Sequence, residues 1–348
     1  MQKTLKIQNF TVFDDVEIQW SRGLNVIIGE NGTGKSQLMK LAYSLSWVSA
    51  NQKKSTRQTK DELQKRIADK LVNTCRPEYL GRLVTRKSGH NRCEITVEFL
   101  NNPKSDFRFS FSTTARLEVK IEELPTNYLV APPIFIPTRE MLSIFPGFTA
   151  VYEEQHLEFE ETYYDLAKAL NANARKKHSV AVQELIDGLE KLMEGHIKLE
   201  NGRFYLWSNH TGQGKFEISL IAEGLRKIAM LAYLLINGSL RDKGTLFWDE
   251  PETNLNPKLI KMTAKALVSL AQQGYQIILS THSFFLLKEI DLLTRKSTVA
   301  KNFISLFREN NSNLIKCKQS NTLKELENII ALDEELAQYD REMELFRS

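Results

Sequence analysis

The sequence predicts an α/β fold: a mixed sheet core flanked by helices, with an antiparallel β lobe and a helical insertion. Two observations carry this prediction. Apolar strand patterns alternate with helical ones through most of the 348 residues, which points to a layered and largely parallel core. A Gly-rich run also joins the first continuously apolar strand directly to a helix.

Leu5 and Ile7, then Val12, Val16, Ile18 and Trp20, recur at mostly even spacing and read as two strands joined by a turn at Asp14 and Asp15. Leu24 to Ile28 is an apolar run between Gly23 and Gly29, as suits a central strand buried on both faces. From Lys35 the spacing turns helical, with Leu38, Leu41, Ala42 and Leu45 on one side. Alternation returns at Cys93 to Leu100 and Phe107 to Phe111, and Tyr128 to Pro137 reads as a strand broken by prolines. Tyr152 to Ile197 is helix-rich, with Leu185, Leu189 and Leu192 at helical spacing, and short strands are expected around Ile197 and Phe204. Helices follow at Leu220 to Leu235 and Pro257 to Gln273, and strands at Thr245 to Trp248 and Gln276 to Ser280. A hairpin is expected from Phe303 to Leu306 and Leu314 to Cys317, then an acidic amphipathic helix from Leu323. The organisation is thus a β lobe with the Gly-rich loop (1–50), an insertion (51–92), a second β lobe and junction (93–150), a helical insertion (151–215), a core segment (216–300) and a terminal hairpin and helix (301–348).

Composition is that of an ordinary globular chain, 42% apolar and 26% charged, which excludes disordered and collagenous classes. The best membrane-span candidate, Ile228 to Leu240, is too short and ends in Asn237, Gly238 and Ser239. The first residues run straight into a strand pattern, with no signal-peptide core. Cys75, Cys93 and Cys317 are widely spaced and odd in number, forming neither a disulfide framework nor a CxxC pair. A soluble cytoplasmic protein with no membrane contact is expected. The net charge of +4 is uneven: residues 51–92 hold twelve Lys and Arg against four acids, +8, which leaves −4 for the rest. Such an excess can attract a nucleic-acid backbone by counterion release; equally, it can be a solvated insertion.

Gly29-Glu30-Asn31-Gly32-Thr33-Gly34-Lys35-Ser36 fits GxxxxGK[ST] at every required position, between a strand and a helix. The glycines let backbone N–H groups turn inward around phosphates, helped by the helix N-terminus. Gly29, Asn31, Gly32, Thr33, Gly34, Lys35 and Ser36 are therefore the expected ATP cradle, with Lys35 bridging the β- and γ-phosphates and the Ser36 hydroxyl on Mg²⁺. Downstream, Thr245 to Glu250 is an apolar strand ending in two acids. Asp249 suits the metal shell, through water or Ser36, and Glu250 the base that orients or activates water. Ser280-Thr281-His282-Ser283 ends the next expected strand. The interval from Asp249 to His282 has room for one helix and one strand, which would set His282 beside Glu250 at one sheet edge in a γ-phosphate role.

This set resembles an ABC-type ATPase head of the SMC/RecF/OLD superfamily, in particular a stand-alone OLD-like AAA ATPase of bacterial defence. The opening Ile7 to Phe10, Phe13 and Leu24 to Gly32 are similar to the start of those heads. The resemblance implies a P-loop NTPase fold, with Asp249 to Glu252 as the Walker B segment, Asn254 to Asn256 as the D-loop and His282 as the switch histidine. It places the signature motif, which caps the nucleotide of an opposing subunit, at Ile221 to Lys227, including Glu223 and Gly224; the alternative is a plain core helix start. Ala222 stands where the family usually has serine, leaving the Gly224 backbone and the helix N-terminus to hold the opposing phosphate, with Arg226 or Lys227 nearby. At Pro137 to Ser143 a Q-loop junction is implied without its glutamine, making Arg139 and Glu140 its candidates beside an ordinary helix cap at Thr138. Phe13 is a candidate for stacking on adenine, or a core aromatic.

The stretch between Ser36 and Ala222 shows no sustained heptads, so SMC-type arms are not expected. The segment after His282 is too short for the TOPRIM nuclease domain of OLD-family proteins. The leading expectation is an Mg-ATP-hydrolysing switch that dimerises on ATP and controls a separate nuclease or toxin partner in phage defence. The alternatives are a RecF-like DNA-repair ATPase gripping duplex DNA through residues 51–92, and a non-hydrolysing nucleotide-binding scaffold.

Overall fold

The computed structural model describes residues 1–51, 59–87, 89–129, 131–155, 157–240, 243–309, 314–326 and 329–347. Lys53, Lys54 and Arg57 of the basic insertion, and Val130 of the proline-broken strand, lie outside them.

The strands are β1 (Gln2–Phe10), β2 (Phe13–Gln19), β3 (Leu24–Gly29), β4 (Arg92–Phe99), β5 (Phe107–Ser112), β6 (Lys120–Glu123), β7 (Ile134–Ile136), β8 (Gly195–Glu200), β9 (Arg203–Ser208), β10 (Lys215–Glu217), β11 (Thr245–Asp249), β12 (Gln276–Thr281), β13 (Lys301–Arg308) and β14 (Ile315–Ser320). The helices are α1 (Lys35–Ala50), α2 (Lys60–Cys75), α3 (Phe148–Gln155), α4 (Glu161–Leu170), α5 (Val180–Met193), α6 (Glu223–Ile236), α7 (Pro257–Gln272), α8 (Phe284–Arg295) and α9 (Ile330–Arg347).

Eleven strands form one mixed sheet in the order β6-β5-β4-β1-β2-β14-β13-β3-β12-β11-β7, and β10-β9-β8 form a small antiparallel sheet. Strands β13, β3, β12, β11 and β7 run parallel, as expected for the core. The antiparallel lobe, however, is hydrogen-bonded into the same sheet rather than merely appended to it. β14 turns back antiparallel on β13 and meets β2 through one register pair, Ile315 with Phe13. The sheet as a whole is therefore far from largely parallel.

Alternate residues of the central strands feed two cores on opposite faces. Val26, Trp248, Ile277 and Leu279 pack among residues of α3 to α8. Ile27, Phe247, Ile278 and Ile304 pack against α1, α2 and the antiparallel lobe. Leu38, Leu41, Ala42 and Leu45 are all fully buried, each leucine contributing about 1.5–3 kcal/mol by leaving water.

Some local expectations are corrected. The first reversal lies at Thr11 and Val12, not at Asp14 and Asp15, which belong to β2. Asn9 and Thr11 take left-handed φ values of 53° and 49° there, and only such backbone closes so short a connection. Among the described residues of the proline-broken segment, Ile134 to Ile136 alone pair as a strand, because prolines cannot donate to the ladder. The acidic helix starts at Ile330 rather than Leu323. The described part of the basic insertion is no loose surface loop: α2 opens with a Thr59–Glu62 capping box and buries Leu63, Ile67 and Leu71. Much of its charge is spent internally. Buried Lys70 pairs with Glu161 (3.1 Å) and with Asp165, and sits 3.8 Å from the centre of the Trp47 ring.

Candidate active site

The register of the parallel strands decides what comes together. Leu306 of β13 pairs with Gly29, Ile28 with Thr281, Ser280 with Asp249, and Trp248 with Ile136. The residues that follow each strand thus form a row along one edge: Arg308, the Gly-rich loop, His282, Glu250, then Glu140. Carboxyl edges of parallel strands are where α/β sheets hold ligands.

The loop's geometry depends on its glycines. Gly34 is the residue preceding α1, with φ 89°, and a Cβ there would fall 2.7 Å from Val12 and 2.8 Å from Phe13. Gly29 is as tightly hemmed, since its Cβ would lie 2.4 Å from the Leu306 carbonyl oxygen. The Thr33 hydroxyl ties the loop by donating to the Glu30 carbonyl at 2.8 Å. Asn31 and Gly32 are exposed, and Ser36 is half-buried in the first turn of α1. Phe13 is fully buried against Gly34, so it is a core aromatic and not a base-stacking surface.

Lys35 is nearly enclosed by this loop. Its Nζ donates to the carbonyls of Gly29 at 2.7 Å and Glu30 at 2.9 Å, and lies 3.4 Å from Nδ1 of His282. Burial lowers its pKa, while Glu250, Asp249, Glu252 and Glu30 act in the opposite direction. On the other side of the imidazole, His282 Nε2 meets Glu250 Oε1 at 2.7 Å. Glu250 itself takes a left-handed φ of 49°, a costly choice for a non-glycine residue of the kind that collects at functional sites. The arrangement holds a carboxylate, an imidazole and an ammonium in one line, bounded by the backbone cradle.

Sequence reasoning overlooked the groups that fix this line. Ser280 accepts from the Glu250 amide at 3.2 Å and donates to the buried Asp249 carboxylate. Glu252 Oε1 accepts three times, from Thr281 Oγ1 at 2.7 Å, His282 N at 2.9 Å and Ser283 N at 3.2 Å. Arg308 reaches from the end of β13 to donate to the Gly32 carbonyl at 3.4 Å. All three residues sit at strand ends or in the Asp-Glu-Pro-Glu run, which is the only local signal they give.

The second group of candidates sits beside the first. Gly224 is buried at the start of α6, where a Cβ would lie 2.6 Å from Leu255 and 3.2 Å from the Asn254 carbonyl oxygen. The two segments expected to cross a dimer interface are thus packed together within one chain. Ala222 precedes α6 without a side-chain cap, and Glu223 in the first turn acts to raise the pKa of Lys227. Burial acts more strongly and lowers that pKa overall; Lys227 is fully buried and donates to the Thr253 carbonyl at 2.9 Å. Arg226 pairs with the buried Glu140 at 3.1 Å. Both cations are thus engaged within the chain. Of the junction residues, Glu140 is tied to α6, whereas Arg139 is exposed. Asn256 spends its side chain on capping α7, accepting from Leu259 N at 3.0 Å.

A family described as "AAA domain, putative AbiEii toxin, Type IV TA system" matches residues 24–288. The chain belongs to this family. Among curated proteins it is 28% identical over 298 residues to DNA repair protein RecN of Aquifex aeolicus, covering 74% of this chain and 53% of that protein. It is 31% identical over 118 residues to the Old nuclease of Escherichia phage P2, covering 32% of this chain and 19% of the nuclease. The chain therefore spans about half of the first relative and a fifth of the second. Among solved structures, an Smc head domain bound to the C-terminal domain of ScpA, from Pyrococcus furiosus, superposes with a TM-score of 0.56. That match is 12% identical and covers 97% of this chain and 99% of the other. The likeness establishes the fold as an ABC/SMC-type ATPase head. Membership of this AAA family makes an ATPase-like role and the use of Mg-ATP the group-level assignment. The loop is compatible with such a ligand: Gly29 and Gly34 let it turn tightly where a Cβ would strike Leu306, Val12 and Phe13, and Ser36 with Asp249 offers the hard oxygen donors that Mg²⁺ prefers. Among the described residues no helix is long and apolar enough to cross a membrane.

Proposed function

We propose that this protein is an Mg-ATP-hydrolysing switch whose heads pair on ATP and which thereby controls a separate nuclease or toxin partner in phage defence. The observation that carries this reading is the contact of Glu250 with His282 at 2.7 Å, with Lys35 3.4 Å from the other imidazole nitrogen. Lys35 and the loop amides hold the β- and γ-phosphates, and Ser36 with Asp249 holds Mg²⁺, which when bound offsets phosphate charge. Glu250 takes the proton of the attacking water, and His282 keeps that carboxylate aimed at the γ-phosphate side of the cradle. Pairing brings Gly224 and the D-loop of one head to the nucleotide of the other. For this to happen, Arg226 would have to leave Glu140 or stay out of the phosphate contact altogether. The family's description names a toxin–antitoxin system, a setting with two components that is compatible with a separate partner chain.

One observation favours a second reading, DNA repair: similarity to RecN extends over 298 residues. Against it, three described cations of the basic insertion are paired within the chain, Lys70 with Glu161 and Asp165, Lys87 with Asp14, and Arg82 with Glu78, although Lys60, Lys65, Arg76, Arg86 and Arg92 are exposed. The deciding experiment is light scattering of Glu250→Gln with and without Mg-ATP, alongside the wild-type hydrolysis rate. A mass that doubles with ATP, together with turnover by the wild type alone, supports the switch. An unchanged mass and no wild-type turnover would leave a nucleotide-binding scaffold.

A further inference from the structure

Helix α9 carries an apolar stripe that the rest of the fold covers only in part, at Leu332 and Met343. Leu332, Leu336, Tyr339, Met343 and Phe346 recur at steps of four, three, four and three residues, the period that keeps one seam turned toward a partner helix. Leu332 packs against the main core, anchoring the helix near its start. Leu336, Tyr339 and Phe346 are 55%, 58% and 78% exposed. Single exposed apolar residues are ordinary, but a row in register along a helix of about 27 Å is the form of a docking face.

The flanks of the stripe say what it would accept. Glu335 and Glu342 lie along one side and Asp340 along the other, all exposed. In a parallel pair of α9 helices, Glu335 of one copy would face Asp340 of the second. In an antiparallel pair, the Glu335 and Glu342 flanks would face each other. Either arrangement sets like charges together beside the seam, which works against self-pairing. A helix with Lys or Arg beside its own apolar stripe meets no such conflict, and each of these carboxylates gains a partner.

We propose that α9 is the docking helix for a separate polypeptide, which presents a basic amphipathic helix with apolar residues at alternating steps of three and four. This deepens the partner-controlled reading above and rests on it only for the partner being another chain. It commits the partner's contact element to a positive charge, whatever its enzymatic nature.

The test uses the full chain and two synthetic helical peptides of about 21 residues, or three heptads, with Leu at both seam positions. One peptide carries Lys at the flanking positions and the other Glu. Binding is followed by fluorescence anisotropy at low salt and at about 0.5 M salt, where exposed charges are screened. The Lys peptide is expected to bind and the Glu peptide not, with binding weakened by salt. Leu336→Asp combined with Tyr339→Asp should weaken binding at least about tenfold without lowering the melting temperature, because both residues are exposed. Glu335→Lys with Glu342→Lys should transfer preference to the Glu peptide. Equal binding of the two peptides, or binding of neither, overturns the proposal. So does a dimer that Leu336→Asp dissociates, since α9 would then be occupied by a second copy. Hydrolysis in the same samples separates the two readings. Active turnover without peptide selectivity sinks the docking helix alone, and selective binding without turnover sinks the ATP switch alone.

Discussion

Glu252→Ala tests the most economical part of the site. One carboxylate oxygen, Oε1, takes hydrogen bonds from Thr281 Oγ1 at 2.7 Å, His282 N at 2.9 Å and Ser283 N at 3.2 Å. A hydrogen bond to a charged acceptor nets about 1.5–3 kcal/mol. Three donors sharing one oxygen are not worth three times that amount, so the set is worth about 2–4 kcal/mol. In a chain of this size that lowers the melting temperature by about 3–5 °C. The larger effect is on turnover, because the backbone that aims His282 loses its acceptor. If His282 is needed in one orientation, kcat at saturating ATP falls about 10²–10³-fold, equivalent to about 2.7–4 kcal/mol of barrier. The assay is phosphate release combined with a double-mutant cycle against His282→Ala. Since Glu252 acts through His282, the double variant should be little slower than His282→Ala alone. Retention of kcat within about threefold in Glu252→Ala, or strictly additive losses in the cycle, would refute the reasoning.

Lys35→Met should abolish turnover without destabilising the protein. Burial makes the folded state hold the Lys35 proton less tightly than the unfolded chain does, so the charged side chain costs stability at neutral pH, a cost relieved as pH rises toward the unfolded value. A fall in melting temperature of more than about 5 °C would contradict this. Glu140→Ala leaves Arg226 without its carboxylate and should cost about 3 kcal/mol in urea unfolding, whereas Glu140→Leu with Arg226→Met recovers most of the loss. A double variant as unstable as the single one counts against the pair. Burial pushes the thiols of Cys75 and Cys317 up to about 12 from an ordinary value near 9, so folded protein keeps them protonated where an unfolded chain ionises them. Stability should therefore decline as pH climbs from about 9 toward 12. Iodoacetamide at about pH 8 should label the fully buried Cys93 only after denaturation, and its rapid labelling in native protein would show that this thiol is not enclosed.

Much of the fold was legible because its central strands are apolar on both faces and its helices are periodic. β3, β11, β12 and the helices after β3 and β11 stand within a residue or two of where the pattern puts them. α8 went unread, although Ser283 caps it by accepting from Leu286 N at 3.1 Å and a buried Phe284, Leu287 and Ile290 spacing follows. β6 and β10 are too short, at four and three residues, to show any period. Spacing alone set His282 beside Glu250, since each follows a strand of the same parallel set; that Lys35 reaches the imidazole from the loop after β3 was not read. The roles of Glu252, Ser280 and Glu140 were not legible, because each depends on a partner in another element whose distance only the sheet register fixes. The partners of Arg226 and Lys227 were not legible either. A cation near a helix start reads as a phosphate ligand until its carboxylate or carbonyl partner is seen.

The position of β3 has a consequence for how the protein is made. The strand that leads into the Gly-rich loop pairs with β12 and β13, so its nearest neighbours are synthesised long after it. Most of the sequence lies between Gly29 and Lys301, the start of β13. At about 5–20 residues per second, translation takes about 15–50 s to cover that interval. During this time the nascent loop has neither the strands that hold it nor the His282 and Glu250 that face it. A ribosome-bound chain cannot acquire its nucleotide pocket early, and a truncated product ending before β12 has none to misuse.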